Sequence, residues 1–257
     1  GSGNLTQQTN TRLVLYYTVS CVSYCLALFS KEMAVTLPIL LVLFELLHPR
    51  QGEFKASFSI LTLANVKRWI LFYSGYILVT VFYLFIRFVA FKNTFKIIDV
   101  YPTNIFTMTK VVASYLKLLF IPLNLNADYY IPDIRGISLS FILSSLFIVS
   151  ACIIIIRLYK KNKLMTFFGS WFFVTLLPVL GIVPIGNIMA ERYLYLPIAG
   201  FCGIAGSIVA NAVFRKKGVI IIGIILLSLQ IGVIWRNGVW QNDTTLWFYT
   251  YQREPNS

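Results

Sequence analysis

Trp69-Ile-Leu-Phe-Tyr-Ser-Gly-Tyr-Ile-Leu-Val-Thr-Val-Phe-Tyr-Leu-Phe-Ile-Arg-Phe-Val-Ala-Phe91 decides what kind of protein this is. The run carries one charge, Arg87, close to its end, and it is longer than the roughly 20 apolar residues an α-helix needs to cross a bilayer. Backbone polar groups in hydrocarbon must be satisfied within the segment, so the run reads as a transmembrane helix. The rest of the chain repeats the pattern. Of 257 residues 58% are hydrophobic and only 12% charged, with a mean hydropathy of +0.77, which describes a polytopic membrane protein rather than a soluble core.

Working outward, Leu13 to Phe29 and Met33 to Leu47 flank Ser30-Lys31-Glu32, and each is near the lower length limit for a span. They read as a tight hairpin, because one long bent helix would leave Lys31 and Glu32 in hydrocarbon. Ile137 to Leu158, Leu164 to Ile182, Tyr193 to Phe214 and Gly218 to Trp235 bring the expectation to about seven crossings. Thr103 to Leu123 differs: Lys110 and Lys117 lie seven residues apart on one helical face of an otherwise apolar segment, the pattern of an interfacial amphipathic helix. The expected fold is therefore all-α, a polytopic membrane helix bundle with one interfacial helix. A polar tail (1–12) precedes the membrane domain (13–235). Residues 236–257 turn polar and aromatic, and Thr244 to Arg253 form a short amphipathic helix capped by Asp243 that looks like the lead-in to a helical repeat.

The net charge of +13 invites a nucleic-acid partner, but the basic residues sit in short clusters at the ends of apolar segments, not in a stripe or groove. Topology accounts for them. With Arg12, the 48–68 connection, the 157–163 cluster and Arg215 to Lys217 on the cytoplasmic side, that side holds more than half of the 22 basic residues and only Glu45 and Glu53 of the acids. The four cysteines lie inside apolar segments and His48 is the single histidine, so neither a disulfide framework nor a Cys/His metal site is indicated. Gly200, Gly203 and Gly206 recur every three residues and suit close helix packing.

This orientation gathers Lys31, Glu32, Arg87, Lys110, Lys117, Asp128, Glu191 and Arg192 on the outer face or just beneath it. Asn187-Ile-Met-Ala-Glu-Arg-Tyr-Leu-Tyr-Leu-Pro197 sets Glu191 and Arg192 side by side between two apolar runs. A charged side chain at membrane depth costs about 2.5–3.5 kcal/mol on insertion scales, so it persists where it faces a partner or a water-filled cavity. The plainer alternative is a loop in the headgroup layer beside a tyrosine belt.

Three stretches carry a family resemblance: Ser30-Lys-Glu-Met-Ala-Val-Thr-Leu-Pro38, Leu116-Lys-Leu-Leu-Phe-Ile-Pro-Leu-Asn-Leu-Asn-Ala-Asp-Tyr129, and Ala190-Glu-Arg-Tyr-Leu-Tyr-Leu-Pro197. From about Ala27 onward the chain resembles the membrane region of the transmembrane-and-tetratricopeptide-repeat O-mannosyltransferases and their bacterial relatives. The resemblance implies the GT-C glycosyltransferase class, with a polyprenyl-phosphate sugar donor, a protein or glycan acceptor, and a bilayer as setting. The bacterial inner membrane is expected ahead of the endoplasmic reticulum, with the active face non-cytoplasmic. It also implies a catalytic acidic residue in a first external loop, expected upstream of Gly1, so either the chain is a fragment or the acid comes from elsewhere.

A lipid-phosphate donor needs cations at headgroup level, and Arg192, Arg87, Lys110, Lys117 and Lys31 are the candidates, arginine being favoured for its planar fork. Glu191 and Glu32 are read as orienting neighbouring cations, Glu191 with Arg192 or Lys31, and Asp128, Tyr129 and Tyr193 as supporting residues. No cofactor is required for a monophosphate donor; a pyrophosphate would call for a divalent cation, and Asp128 with Asp133 is too thin a ligand set for one. The rival reading is a non-catalytic lipid-phosphate-binding or transport scaffold with the same charges.

Overall fold

The computed structural model describes residues 2–48, 63–90, 104–123, 125–134, 136–180, 187–212 and 216–254. Among them there is no strand: the protein is all-helical. The helices are α1 (Ser2–Ser30), α2 (Leu37–Leu47), α3 (Leu63–Ala90), α4 (Ile105–Phe120), α5 (Leu139–Tyr159), α6 (Lys163–Leu176), α7 (Ile198–Ala212), α8 (Lys216–Val239) and α9 (Asp243–Arg253). Short 3-10 turns lie at Glu32–Thr36, Leu177–Val179 and Glu191–Leu194. The basic connection over 49–62, Arg135 and Arg215 lie outside the described residues.

Among the described residues four helical segments are long and apolar enough to cross a bilayer: Thr11–Ser30, Trp69–Val89, Leu139–Tyr159 and Gly218–Val239. With their lipid-length apolar surfaces they make this a membrane protein. The other three expected crossings fall on shorter elements, so the count of seven is not reached on length. Proline accounts for much of the shortening, since it removes a backbone donor and clashes with the preceding turn. Pro38 opens α2, Pro178 sits in the 3-10 turn that ends α6, and α7 begins only after Pro197. The segment expected to run from Tyr193 to Phe214 thus starts as a 3-10 turn and becomes helical at Ile198. At the N-terminus the polar residues 2–12 form the first turns of α1.

The chain divides into two compact units, Gly1–Ile98 and Asp99–Ser257. In the first, α1 packs chiefly on α3. The first two apolar runs are separated by a break: Lys31 is extended, and the Glu32–Thr36 turn leads into α2. The α1–α3 seam is tyrosine-rich. Tyr24 and Thr80 share a 2.8 Å hydroxyl hydrogen bond, as do Ser20 and Tyr76 at 2.7 Å. The Gly75 N–H donates to the Tyr17 hydroxyl at 3.0 Å, an approach that a Cβ on Gly75 would block at 2.5 Å. Hydroxyl pairs and a small residue hold helices together where lipid offers no hydrophobic driving force between them.

In the second unit α6 and α7 form the closest helix pair, joined through glycine. A Cβ on Gly200 would fall 2.4 Å from the Phe168 carbonyl, and one on Gly203 2.4 Å from the Phe168 ring. Gly206, the third of the series, faces open space. The indole of Trp171 closes the same contact by donating to the Leu196 carbonyl at 2.9 Å.

Helix α4 does carry an amphipathic pattern, but its apolar face is turned into the protein: Thr107, Met108, Val111, Val112, Tyr115 and Leu116 are buried. Asn104 caps it, accepting from the Thr107 N–H at 2.8 Å. At the other end of the unit α8 continues past Trp235 to Val239, which places Arg236 on the helix rather than in a polar tail. Helix α9 is capped by Asn242, one residue ahead of the expected Asp243, in a reciprocal capping box with Thr245.

Candidate functional site

The segment from Asn187 to Leu194 is held by its backbone first. Tyr115 is fully buried on α4, and its hydroxyl donates to the Ala190 carbonyl at 3.2 Å while accepting the Ala190 N–H at 3.1 Å. One phenol therefore satisfies both polar groups of a residue that belongs to no helix. Met189, Ala190 and Tyr193 are buried around it, and burial pushes the Tyr115 hydroxyl above its ordinary pKa, keeping it a neutral donor.

Glu191 opens the 3-10 turn, and its partners differ from those expected. Its carboxylate accepts the Tyr129 hydroxyl at 2.8 Å and pairs with Arg236 from α8 at 3.3 and 3.4 Å. Arg236 is itself buried, donates to the Leu125 carbonyl at 2.7 Å, and lies near the Trp240 and Tyr249 rings at 5.9 and 5.5 Å. Tyr129 in turn accepts the Asn126 N–H at 2.9 Å. Burial, and then the negative charge of Glu191, raise the Tyr129 hydroxyl, so it stays a donor to the carboxylate. Asn126 is 1% exposed and its amide reaches the Thr250 carbonyl of α9 at 3.5 Å. Two loops and two helices are thus fastened at one carboxylate.

Arg192, the neighbour, is left outside this network. It is exposed, donates to the Asn187 side chain at 3.1 Å and lies 5.3 Å from the Tyr193 ring. Among the described residues no carboxylate pairs with it. Since Glu191 is neutralised by Arg236, the excess positive charge of the cluster sits on Arg192, held by an amide and an aromatic face.

Lys110 and Lys117 line one groove between α4 and α5, on the side of α4 away from Tyr115. Lys31, Glu32 and Arg87 belong to the first unit, where Glu32 lies 3.9 Å from Lys31 and 4.0 Å from Arg87, and Arg87 donates to the Tyr83 hydroxyl at 2.7 Å. The expectation set Glu32 beside Lys31 and Glu191 beside Arg192 or Lys31; Arg87 is a further partner of Glu32, and Glu191 pairs with Arg236. Asp128 accepts the N–H of its neighbour Tyr129, and Asp133 fastens the start of α4 through Asn104 and Thr107. No group of three or more His, Cys, Asp or Glu side chains comes together among the described residues in a way that would hold a metal.

Arg236, Tyr115 and Asn126 were not singled out from sequence. A charge in the last turn of a long apolar helix was the available signal for Arg236. Tyr115 and Asn126 give none, because their role depends on which loop the helix meets.

Compared with known proteins, the chain matches no family model and no solved structure. A protein O-mannosyl-transferase of Caenorhabditis elegans is 31% identical over 139 residues, 51% of this chain and 20% of the relative. The human protein O-mannosyl-transferase TMTC3 is 30% identical over 78 residues, 29% of this chain and 8% of the relative. The chain is similar to protein O-mannosyl-transferases. It spans a fifth or less of the length of these relatives.

Proposed function

We propose that this chain is part of the membrane region of a GT-C-class glycosyltransferase that takes a sugar, mannose by analogy with the relatives, from a polyprenyl-phosphate donor on the non-cytoplasmic face. Arg192 receives the donor phosphate. The observation that carries this reading is the division of labour at the loop: Arg236 and Tyr129 occupy Glu191, and the adjacent guanidinium remains available to an anion.

When an acceptor hydroxyl attacks the anomeric carbon and passes its proton to a carboxylate base of the kind the resemblance implies, the bond to the phosphate oxygen breaks and negative charge grows on the departing phosphate. A guanidinium fork placed there stabilises that charge with two charge-assisted hydrogen bonds, and a donor preorganised by Asn187 and Tyr193 needs little rearrangement at that moment. Glu191 acts in this scheme as a fastener and not as the base that takes the acceptor proton. The short helix α9, tied to Asn126, is read as the lead-in to a repeat array that presents the acceptor.

The test is sugar transfer from a polyprenyl-phosphate donor by the full-length protein in membranes. Arg192→Ala is expected to lower transfer by roughly two orders of magnitude or more, and Arg192→Lys to restore only part of it. Transfer unchanged in Arg192→Ala rejects the assignment. A scaffold that binds lipid phosphate without transfer is the second reading, favoured by the absence of an unoccupied carboxylate beside Arg192 among the described residues. It predicts Arg192-dependent lipid binding with no transfer in either form.

A further inference from the structure

The face of α4 opposite the Tyr115 contact carries charge that no described residue neutralises. Lys110 and Lys117 lie within roughly 20° of each other around the helix, and Tyr115 roughly 140° away from Lys110, at 3.6 residues per turn. The two lysines open onto a groove of about 520 Å³ between α4 and α5. Its walls are apolar at Leu143 and Phe147 and hydroxylic at Ser114 and Ser144. Among the described residues neither ammonium group meets a carboxylate. Helix α5 is one of the four helices that suit a bilayer, so the groove opens beside hydrocarbon. Two cations without a carboxylate partner among the described residues, set beside an apolar slot, suit an anion that brings its own hydrocarbon.

We infer that the α4–α5 groove binds an anionic membrane phospholipid, its phosphate held by Lys110 and Lys117 and its acyl chain lying against Leu143 and Phe147. The occupant is taken to be a bilayer phospholipid and not the polyprenyl-phosphate donor, because the groove lies on the side of α4 turned away from the Arg192 loop. The site is thus distinct from the one assigned to the donor. The groove volume falls within the usual span of about 300–1,000 Å³ for specific small-molecule sites. Clustered lysines at a membrane surface attract anionic headgroups.

The experiment is native mass spectrometry of the protein released from nanodiscs containing phosphatidylcholine with phosphatidylglycerol, alongside photo-crosslinking with a phosphatidylglycerol that carries a diazirine in its acyl chain. The expected result is selective retention of phosphatidylglycerol, falling roughly tenfold or more in the Lys110→Gln/Lys117→Gln double variant. Retention is expected to recover in Lys110→Arg/Lys117→Arg and to be unchanged in Arg192→Ala. In the unaltered protein the crosslinks are expected on α4 and α5, a readout that does not depend on any variant folding. Equal retention in the double Gln variant, crosslinks elsewhere, or displacement of phosphatidylglycerol by a polyprenyl phosphate would each overturn the inference. Failure of Arg192→Ala in sugar transfer bears only on the donor site and leaves this result standing.

Discussion

Replacing Arg236 with methionine keeps most of the side-chain volume and removes the charge that neutralises Glu191. Two losses follow. The hydrogen bond to the Leu125 carbonyl at 2.7 Å has a charged donor, a class worth about 1.5–3 kcal/mol. Breaking a fully buried ion pair by removing one partner costs about 3–5 kcal/mol. Here the arginine side chain is 10% exposed but the glutamate is 23% exposed, so water relieves part of the penalty and the lower end applies. The two terms share one side chain and do not add, which gives about 3 kcal/mol of local destabilisation, or roughly a hundredfold in the opening equilibrium. The assay is amide hydrogen exchange by mass spectrometry in nanodiscs, read on peptides covering 125–130 and 187–194, where Asn126 and Ala190 donate to tyrosine hydroxyls. Protection of both peptides is expected to fall together. In the Arg236→Met/Glu191→Gln double variant much of it is expected to return, because no charge is then left unpaired. Unchanged protection in Arg236→Met, or simple additivity in the double variant, refutes the carboxylate as the fastening point.

Further outcomes follow from the same contacts. Gly203→Ala, whose new Cβ would meet the Phe168 ring at 2.4 Å, is expected to lower stability by about 1–3 kcal/mol, while Gly206→Ala, with nothing within 4 Å, is expected to be neutral or mildly stabilising; thermal unfolding in detergent compares them. Tyr115 and Tyr129 are raised above the ordinary tyrosine value of 10.0, so their contribution is fully present below about pH 10 and is lost as pH rises toward the raised folded values, because the unfolded chain releases its protons first. Tyrosinate absorbance and exchange at 187–194 should track that loss, with a shallower pH dependence in Tyr129→Phe. Gly75→Leu is expected to part α1 from α3 by displacing the Tyr17 hydroxyl, whereas Tyr76→Phe, which removes one hydroxyl pair, is expected to cost only about 0.6 kcal/mol; crosslinking yield between cysteines placed on the two helices reports both.

The resemblance and the structure meet at Ala190 to Pro197, a stretch whose importance is visible in sequence because two charges interrupt apolar runs. What the charges do there is another matter. Glu191 and Arg192 are adjacent, and adjacency suggests that each serves the other. In the folded chain Glu191 is answered from 45 residues away by Arg236 and from 62 away by Tyr129. Likewise the seven-residue spacing of Lys110 and Lys117 fixes their common face but not which way that face turns.

The length and continuity of the apolar runs determined that the protein is helical and membrane-embedded, because a lipid-exposed backbone is satisfied only in helices or closed barrels, unbroken apolar runs of about 20 residues fit the helix, and a segment's transfer into hydrocarbon depends on its own residues. The sequence also located the charged loop and the last short helix within a residue or two. The tertiary structure decided which described helices are shorter than a bilayer-spanning length, where α8 ends, and which cation remains available at the loop. Those outcomes depend on the angle and depth at which distant helices meet, and no local property of the sequence carries that information.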